Sequence, residues 1–252
     1  MRVAVLGGTG KTGRPVCAAV GAGAVPLGRA AWADLPGALA GCDAAYVIAP
    51  NMHPDEASYV ADVVSAAHTA GVRRVVLHSV ASPYVPEMPH HLGKAAAEDV
   101  VRRSGLAWTI LQPGPYLQNF GTVRFKKHPG PLDPGASWTG PSSFRVAYRP
   151  DAPFGFADLA DVAEVAATVL RDDGHEGTTY ELATLRATVA ELAETLGVHV
   201  ETITPEEWAR TDGADLDPRV RDWLLAMFGY YDRHGLPVGT LPMRALLGRL
   251  MS

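Results

Sequence analysis

Apolar and polar positions fall into short blocks along the first half of the chain, and the period of those blocks switches repeatedly between strand and helix. Val3, Ala4, Val5 and Leu6 form a continuous apolar run stopped by Gly7 and Gly8, as expected of a strand buried on both faces. Small apolar residues over 12–20 predict a helix packed closely on a sheet. Further strands are predicted over 24–27, 43–49, 72–77 and 108–111, although Pro26 weakens the first of these by removing a donor. Apolar residues at helical spacing occupy 55–69, with acidic residues in the first turn where the helix dipole favours them. A second helix is predicted over 94–104, ended near Gly105. Strands alternating with helices predict an α/β fold with a doubly wound parallel sheet.

Beyond about Gly121 the pattern changes. Residues 126–150 are rich in Pro, Gly and Ser and read as long loops. An amphipathic helix is predicted over 157–170, a strand over 179–182 and a helix over 189–196. The tail 217–233 carries Trp223, Met227, Phe228, Tyr230 and Tyr231, which read as core or lid packing. The organisation is a dinucleotide-type sheet domain over 1–120, with 121–252 as a smaller substrate lobe and C-terminal lid interleaved with that core.

Composition narrows the function classes. A chain of 252 residues with 47% hydrophobic content buries a substantial core. A net charge of -5 and a pI near 6.0 offer no basic footprint for nucleic acid. Cys17 and Cys42 are too few for a disulfide framework and read as buried thiols in a reducing compartment. No stretch reaches the roughly 20 apolar residues of a membrane span, and the first residues lack the pattern of a signal peptide. The expectation is a cytoplasmic chain. Its histidines and cysteines show no His-x-x-x-His or Cys-x-x-Cys spacing, so no metal site is expected. No Gly-x-Ser-x-Gly elbow occurs either.

The most informative segment is Gly7-Gly8-Thr9-Gly10-Lys11-Thr12-Gly13, directly after the first strand. Glycines at 7, 10 and 13 tighten the turn, let backbone approach a pyrophosphate and let the helix pack on the strand. The following helix turns its free N–H groups and positive dipole end towards the phosphates. A P-loop would need a glycine where this chain has Val5. Lys11 therefore reads as a phosphate neighbour or a solvated loop lysine. An acidic residue ending the second strand would bond a ribose 2′-hydroxyl, but here Gly28-Arg29 stands in its place. The Arg29 guanidinium suits a 2′-phosphate, which favours NADP(H) over NAD(H).

The glycine loop, the segments 38–48 and 70–79, and above all HHLGKAAAEDVVRRSGLAWTILQPGPYLQN over 90–119 resemble the NmrA-like branch of atypical short-chain dehydrogenases. The likeness extends through 156–170, 180–182 and 223–235. The resemblance implies that Gly7, Thr9, Gly10, Thr12 and Gly13 line the diphosphate and Arg29 the 2′-phosphate. It puts Ala49, Pro50 and Asn51 on the ribose side, and Ser79 and Lys94 near the nicotinamide ribose. Pro113, Gly114, Pro115 and Tyr116 would wall the nicotinamide and substrate pocket. Ser79, His90, Lys94 and Tyr116 are thus the candidate catalytic residues.

Two departures stand out. Short-chain dehydrogenases carry Tyr-x-x-x-Lys, whereas here His90 occupies the tyrosine position four residues before Lys94. His90 reads either as a proton shuttle or as a structural, substrate-lining residue. The spacing between Arg29 and Asp43 is also short by roughly one helix–strand unit, on the order of 20 residues. That unit normally covers the adenine, so Trp32 either stacks on the adenine or plugs exposed core. The leading functional expectation is NAD(P)H-dependent reduction of a small apolar or aromatic carbonyl, quinone or conjugated compound. A non-redox cyclising or isomerising enzyme and a non-catalytic NADP(H) sensor remain open, and a homodimer is compatible with either. Substrate identity is not legible.

Overall fold

The computed structural model describes residues 1–124 and 137–249. Its centre is a six-stranded sheet of β1 (Val3–Leu6), β2 (Ala24–Leu27), β3 (Ala44–Val47), β4 (Arg74–His78), β5 (Ala107–Pro113) and, late in the chain, β10 (Thr178–Leu182). Every pairing in this sheet is parallel, in the order β10-β5-β4-β3-β1-β2. All carboxyl ends therefore open on one edge. The expected doubly wound α/β architecture is the one observed.

The helices of the first half are α1 (Gly13–Val20), α2 (Leu35–Leu39), α3 (Glu56–Ala70) and α4 (Pro89–Arg102). In the second half, β6 (Thr122–Arg124) pairs with β7 (Ser137–Thr139), and β8 (Ser143–Val146) and β9 (Phe154–Phe156) follow. Next come α5 (Leu159–Arg171), β11 (Leu185–Ala187), α6 (Val189–Leu196), β12 (His199–Thr202), α7 (Pro205–Arg210), α8 (Pro218–His234) and α9 (Leu241–Leu246). Among the described residues no helix is long and apolar enough to cross a membrane.

Strand alternation explains how the faces are filled. Ala4, Leu6, Ala45, Val47, Val75, Leu77 and Ile110 meet α2, α3 and α4, while Val3, Val5, Tyr46, Val76 and Leu111 meet α1, α5 and α9. A third apolar cluster, centred on Phe144, Phe154, Phe156 and Leu192, is drawn mainly from the second half of the chain. Local chemistry sets the helix ends. The Asp55 and Asp158 side chains accept from the backbone N–H groups of Ser58 and Ala160, and Thr188 with Glu191 closes a capping box on α6.

The short spacing after Arg29 has a direct structural meaning. β2 is the edge strand, and the chain crosses β1 through a 3₁₀ turn (Arg29–Asp34) and α2 to enter β3 on the far side. Among the described residues no strand pairs outside β2.

Several boundaries differ from the sequence expectation. α4 begins at Pro89 rather than 94, because proline is well suited to a first helical position, so His90 and His91 lie on the helix. The tail with Trp223 is a continuous helix, α8. The predicted loop region contains β7 and β8, while its residues 126–136 lie outside the described ones. Cys42 is buried as expected, but Cys17 is only half-buried.

Backbone crowding at Gly155 makes a clean test of this packing. A Cβ on Gly155 would stand 2.6 Å from the Val238 carbonyl oxygen, whereas one on Gly93, inside α4, meets nothing within 4 Å. Gly155→Ala should lower the stability measured by urea unfolding by about 1–3 kcal/mol. Gly93→Ala should raise it by about 0.5–1 kcal/mol.

Candidate active site

One cleft of about 1270 Å³ runs along the carboxyl edge of the sheet, where ligands of open α/β sheets bind. Every site residue expected from the sequence lines it. The glycine loop, Arg29 and Ala49 to Asn51 lie along it, as do Ser79, His90, Lys94 and Pro113 to Tyr116.

The loop is built for a close approach. Gly7 has φ +76°, and a Cβ on Gly13 would lie 2.2 Å from the Gly7 carbonyl oxygen, so α1 packs against the strand end as only glycine permits. Beside Gly10 a Cβ would meet only the Gly7 carbonyl oxygen, at 3.2 Å, which leaves that backbone open. Thr12, the N-cap of α1, makes no side-chain cap. The Arg14 N–H donates to the Gly10 carbonyl oxygen at 3.1 Å and Pro15 has no N–H, so among the described residues the Gly13 N–H is the helix-start donor left for an anion. These features fit a dinucleotide phosphate. Arg14 braces the loop through its Nε, 2.8 Å from the Thr9 carbonyl oxygen. Lys11 instead reaches the Gln118 carbonyl oxygen at 3.2 Å and ties the loop to the chain after β5. Arg29 is exposed at the end of β2. Trp32 is 37% exposed and packs on Tyr59, with centroids 4.5 Å apart, so it lies on the cleft wall and does not plug the core.

Lys94 is held by Glu56 from the first turn of α3, Nζ to Oε1 at 2.5 Å, with both side chains largely buried. Ser79 donates to the buried Glu98 at 2.5 Å. Gln112, Arg102 and Tyr84 donate to the same carboxylate at 2.7, 2.9 and 3.1 Å. A fully buried carboxylate is tolerable because donors surround it.

The cleft histidines, His78, His90 and His91, are held neutral. Burial first, and then the Lys94 charge, pushes His90 from the ordinary 6.5 down to about 3, and His91 lies lower still in exposure but reaches only about 4, since its bond to Ser82 partly opposes burial. His90 stacks on Trp223 of α8, with centroids 6.1 Å apart. His91 donates from Nδ1 to the Ser82 carbonyl oxygen at 3.2 Å. His78, at the end of β4, is likewise pushed down to about 3 by burial. Its Nδ1 lies 2.6 Å from the Tyr46 hydroxyl, and its Nε2 lies 2.5 Å from that of Tyr116. Burial raises the pKa of both tyrosines.

The far end of the cleft is aromatic and aliphatic, lined by Phe120, Phe144, Tyr148, Phe154, Met227 and Phe228. Sequence reasoning missed Tyr46, Glu56, His78 and Glu98. The only signal for His78 was its place beside Ser79 at a predicted strand end. Nothing local distinguishes Glu56 or Glu98 from solvated helix residues.

The NmrA-like family model matches residues 32–203, more than half of the chain. The chain belongs to the NmrA-like family. The glycine loop precedes the matched span. Among curated relatives, this NmrA-like chain is 33% identical over 154 residues to an NAD(P)H azoreductase of Xenophilus azovorans, covering 58% of this chain and 47% of that protein. It is 32% identical over 173 residues to a (4-alkanoyl-5-oxo-2,5-dihydrofuran-3-yl)methyl phosphate reductase of Streptomyces griseus, covering 66% and 56%. The chain thus spans about half the length of the curated relatives it matches. The crystal structure of the Citrobacter sp. triphenylmethane reductase complexed with NADP(H) superposes with a TM-score of 0.75 at 21% identity, covering 100% of this chain and 97% of that one. That likeness shows the shared fold.

The three neutral histidines link stability of this NmrA-like protein to pH. Folded, His78 and His90 protonate near 3 and His91 near 4, against an ordinary 6.5. Between those values the unfolded chain binds more protons, so stability falls as the pH falls. Each contributes a slope of up to about 1.4 kcal/mol per pH unit. Unfolding free energy should therefore drop from pH 6.5 towards 5, before carboxylates matter. His91→Gln should flatten that limb in a denaturant series. An unchanged slope would count against burial as the cause.

Proposed function

We propose that this protein is an NAD(P)H-dependent reductase of small apolar or aromatic carbonyls, quinones or conjugated compounds, with NADP(H) as the preferred cofactor. One observation carries the reading: the glycine loop, Arg29, Lys94 and the segment Pro113 to Tyr116 share a single cleft at the carboxyl ends of the parallel strands. The curated relatives, named as reductases, support it.

In this reading the loop backbone and the open end of α1 hold the diphosphate, and Arg29 meets the 2′-phosphate with a forked pair of donors. Ala49, Pro50 and Asn51 line the ribose side. Trp32 and Tyr59 wall the adenine end in place of the missing helix–strand unit. A nicotinamide bound at the Pro113 to Tyr116 end supplies hydride. Lys94, fixed by Glu56, serves as the ribose-side donor, and Ser79, drawn back by Glu98, shapes the wall beside it. His90, neutral and stacked on Trp223, acts as wall rather than as proton shuttle. Residues 121–252 supply the substrate lobe and lid, whose aromatic lining excludes water and selects flat apolar substrates.

Titration with NADPH and NADH, followed by nicotinamide fluorescence, tests the assignment. Micromolar binding of NADPH is expected, and Arg29→Ala should weaken it about tenfold or more while leaving NADH little changed. Failure of both nucleotides to bind at millimolar concentration would overturn the reading and leave cofactor-independent chemistry in the Tyr116 pocket.

A further inference from the structure

Tyr46, His78 and Tyr116 form a chain of two short hydrogen bonds that ends at the cleft. Tyr46 on β3 pairs in register with Val76 on β4, and His78 stands two residues further along, so the period of two puts both side chains on the face covered by α1 and α5. Tyr116 comes from the segment after β5 and lines the cleft. The direction of the chain follows from counting protons. Tyr46 is fully buried, and among the described residues its hydroxyl has one hydrogen-bond partner, Nδ1 of His78 at 2.6 Å. A buried hydroxyl proton without an acceptor is costly, so Tyr46 donates and Nδ1 is bare. A neutral imidazole then carries its proton on Nε2, which donates to the Tyr116 oxygen at 2.5 Å. Among the described residues the Tyr116 hydroxyl has no other partner, so its own proton is left for whatever enters the cleft. Each bond polarises the next in surroundings poor in water.

We infer that Tyr46 and His78 are positioning residues that fix the Tyr116 hydroxyl as a hydrogen-bond donor to an oxygen or nitrogen acceptor on the substrate. The inference rests on the reductase reading for its consequence and not for its geometry. It narrows the substrate class to compounds bearing an acceptor atom conjugated to the carbon that is reduced, where a donor gains strength as negative charge gathers. Reversing the imidazole would turn Tyr116 away, since it would then donate to His78.

Two measurements on the whole protein test this. Nitrogen-15 spectra of histidine-labelled protein, with the His78 signals identified by their loss in His78→Asn, should show an Nε2–H tautomer. In Tyr46→Phe that preference should be lost. An Nδ1–H tautomer or an imidazolium at neutral pH in the unaltered protein would overturn the proposal, whether or not any substrate is turned over. Kinetics with 1,4-naphthoquinone and NADPH form the second arm. Tyr46→Phe and Tyr116→Phe should each lower kcat by about tenfold or more, with the affinity for NADPH unchanged. Because the residues act through one proton, Tyr46→Phe should add nothing in a Tyr116→Phe background. Additive losses, or losses confined to KM, would overturn it. Absence of turnover with any acceptor would instead count against the reductase reading, and the tautomer would still decide the relay.

Discussion

The site depends on the passage of α1 past the end of β1, where no side chain fits. A Cβ on Gly13 would approach the Gly7 carbonyl oxygen to 2.2 Å, and one on Gly8 would approach the Val5 carbonyl oxygen to 2.7 Å. The helix start consequently lies against the strand end, and Thr12 and Gly13 line the cleft there. Because all six strands of the sheet run parallel, the ends of β3, β4 and β5 open on the same edge and bring their own terminal residues to it. Ala49, Ser79 and Pro113 share a wall for that reason, although they come from three separate stretches of chain.

Around this floor the protein solves a problem of buried charge. A cleft with aromatic walls weakens the hydration of any ion within it, so each ion needs a partner or must be neutral. Lys94 is paired with Glu56. Glu98 is ringed by Ser79, Gln112, Arg102 and Tyr84. The three histidines respond in the other way and stay uncharged. What results is a cleft whose far end is apolar, with Lys94 held in its ion pair among the cations that line the rest. The apolar end suits flat, uncharged molecules, and it gives the few remaining donors more weight than they would have in water.

The shortened connection between β2 and β3 shows how a fold absorbs a missing unit. The Rossmann pattern ordinarily continues outward from β2, but here the chain returns at once across β1. Asp34 caps α2 by accepting from Gly37, and Leu35 and Leu39 bury themselves against α3. The face left beside β2 is bounded by Trp32 and Tyr59, which rest on each other. The edge is finished with aromatic surface.

Much of this was written in local sequence. Val3 to Leu6 followed by the glycine loop determined a buried strand, a tight turn and a helix start, since steric limits on φ and on Cβ act within a few residues. The spacing from Arg29 to Asp43 determined that a unit was missing, because chain length limits what can be built. The site residues carried by the NmrA-like resemblance all reached one cleft. Other features needed the assembled sheet. The start of α4 at Pro89 put His90 and His91 on a buried helical face that the 94–104 pattern did not include. Glu56 reads as an ordinary first-turn acid until α3 packs on α4 and brings it to Lys94. Tyr46 and His78 are 32 residues apart, and no periodicity relates them. Only the parallel register of β3 and β4 sets them on one face within hydrogen-bond reach, because pairing between distant strands is a tertiary choice that neither strand encodes alone.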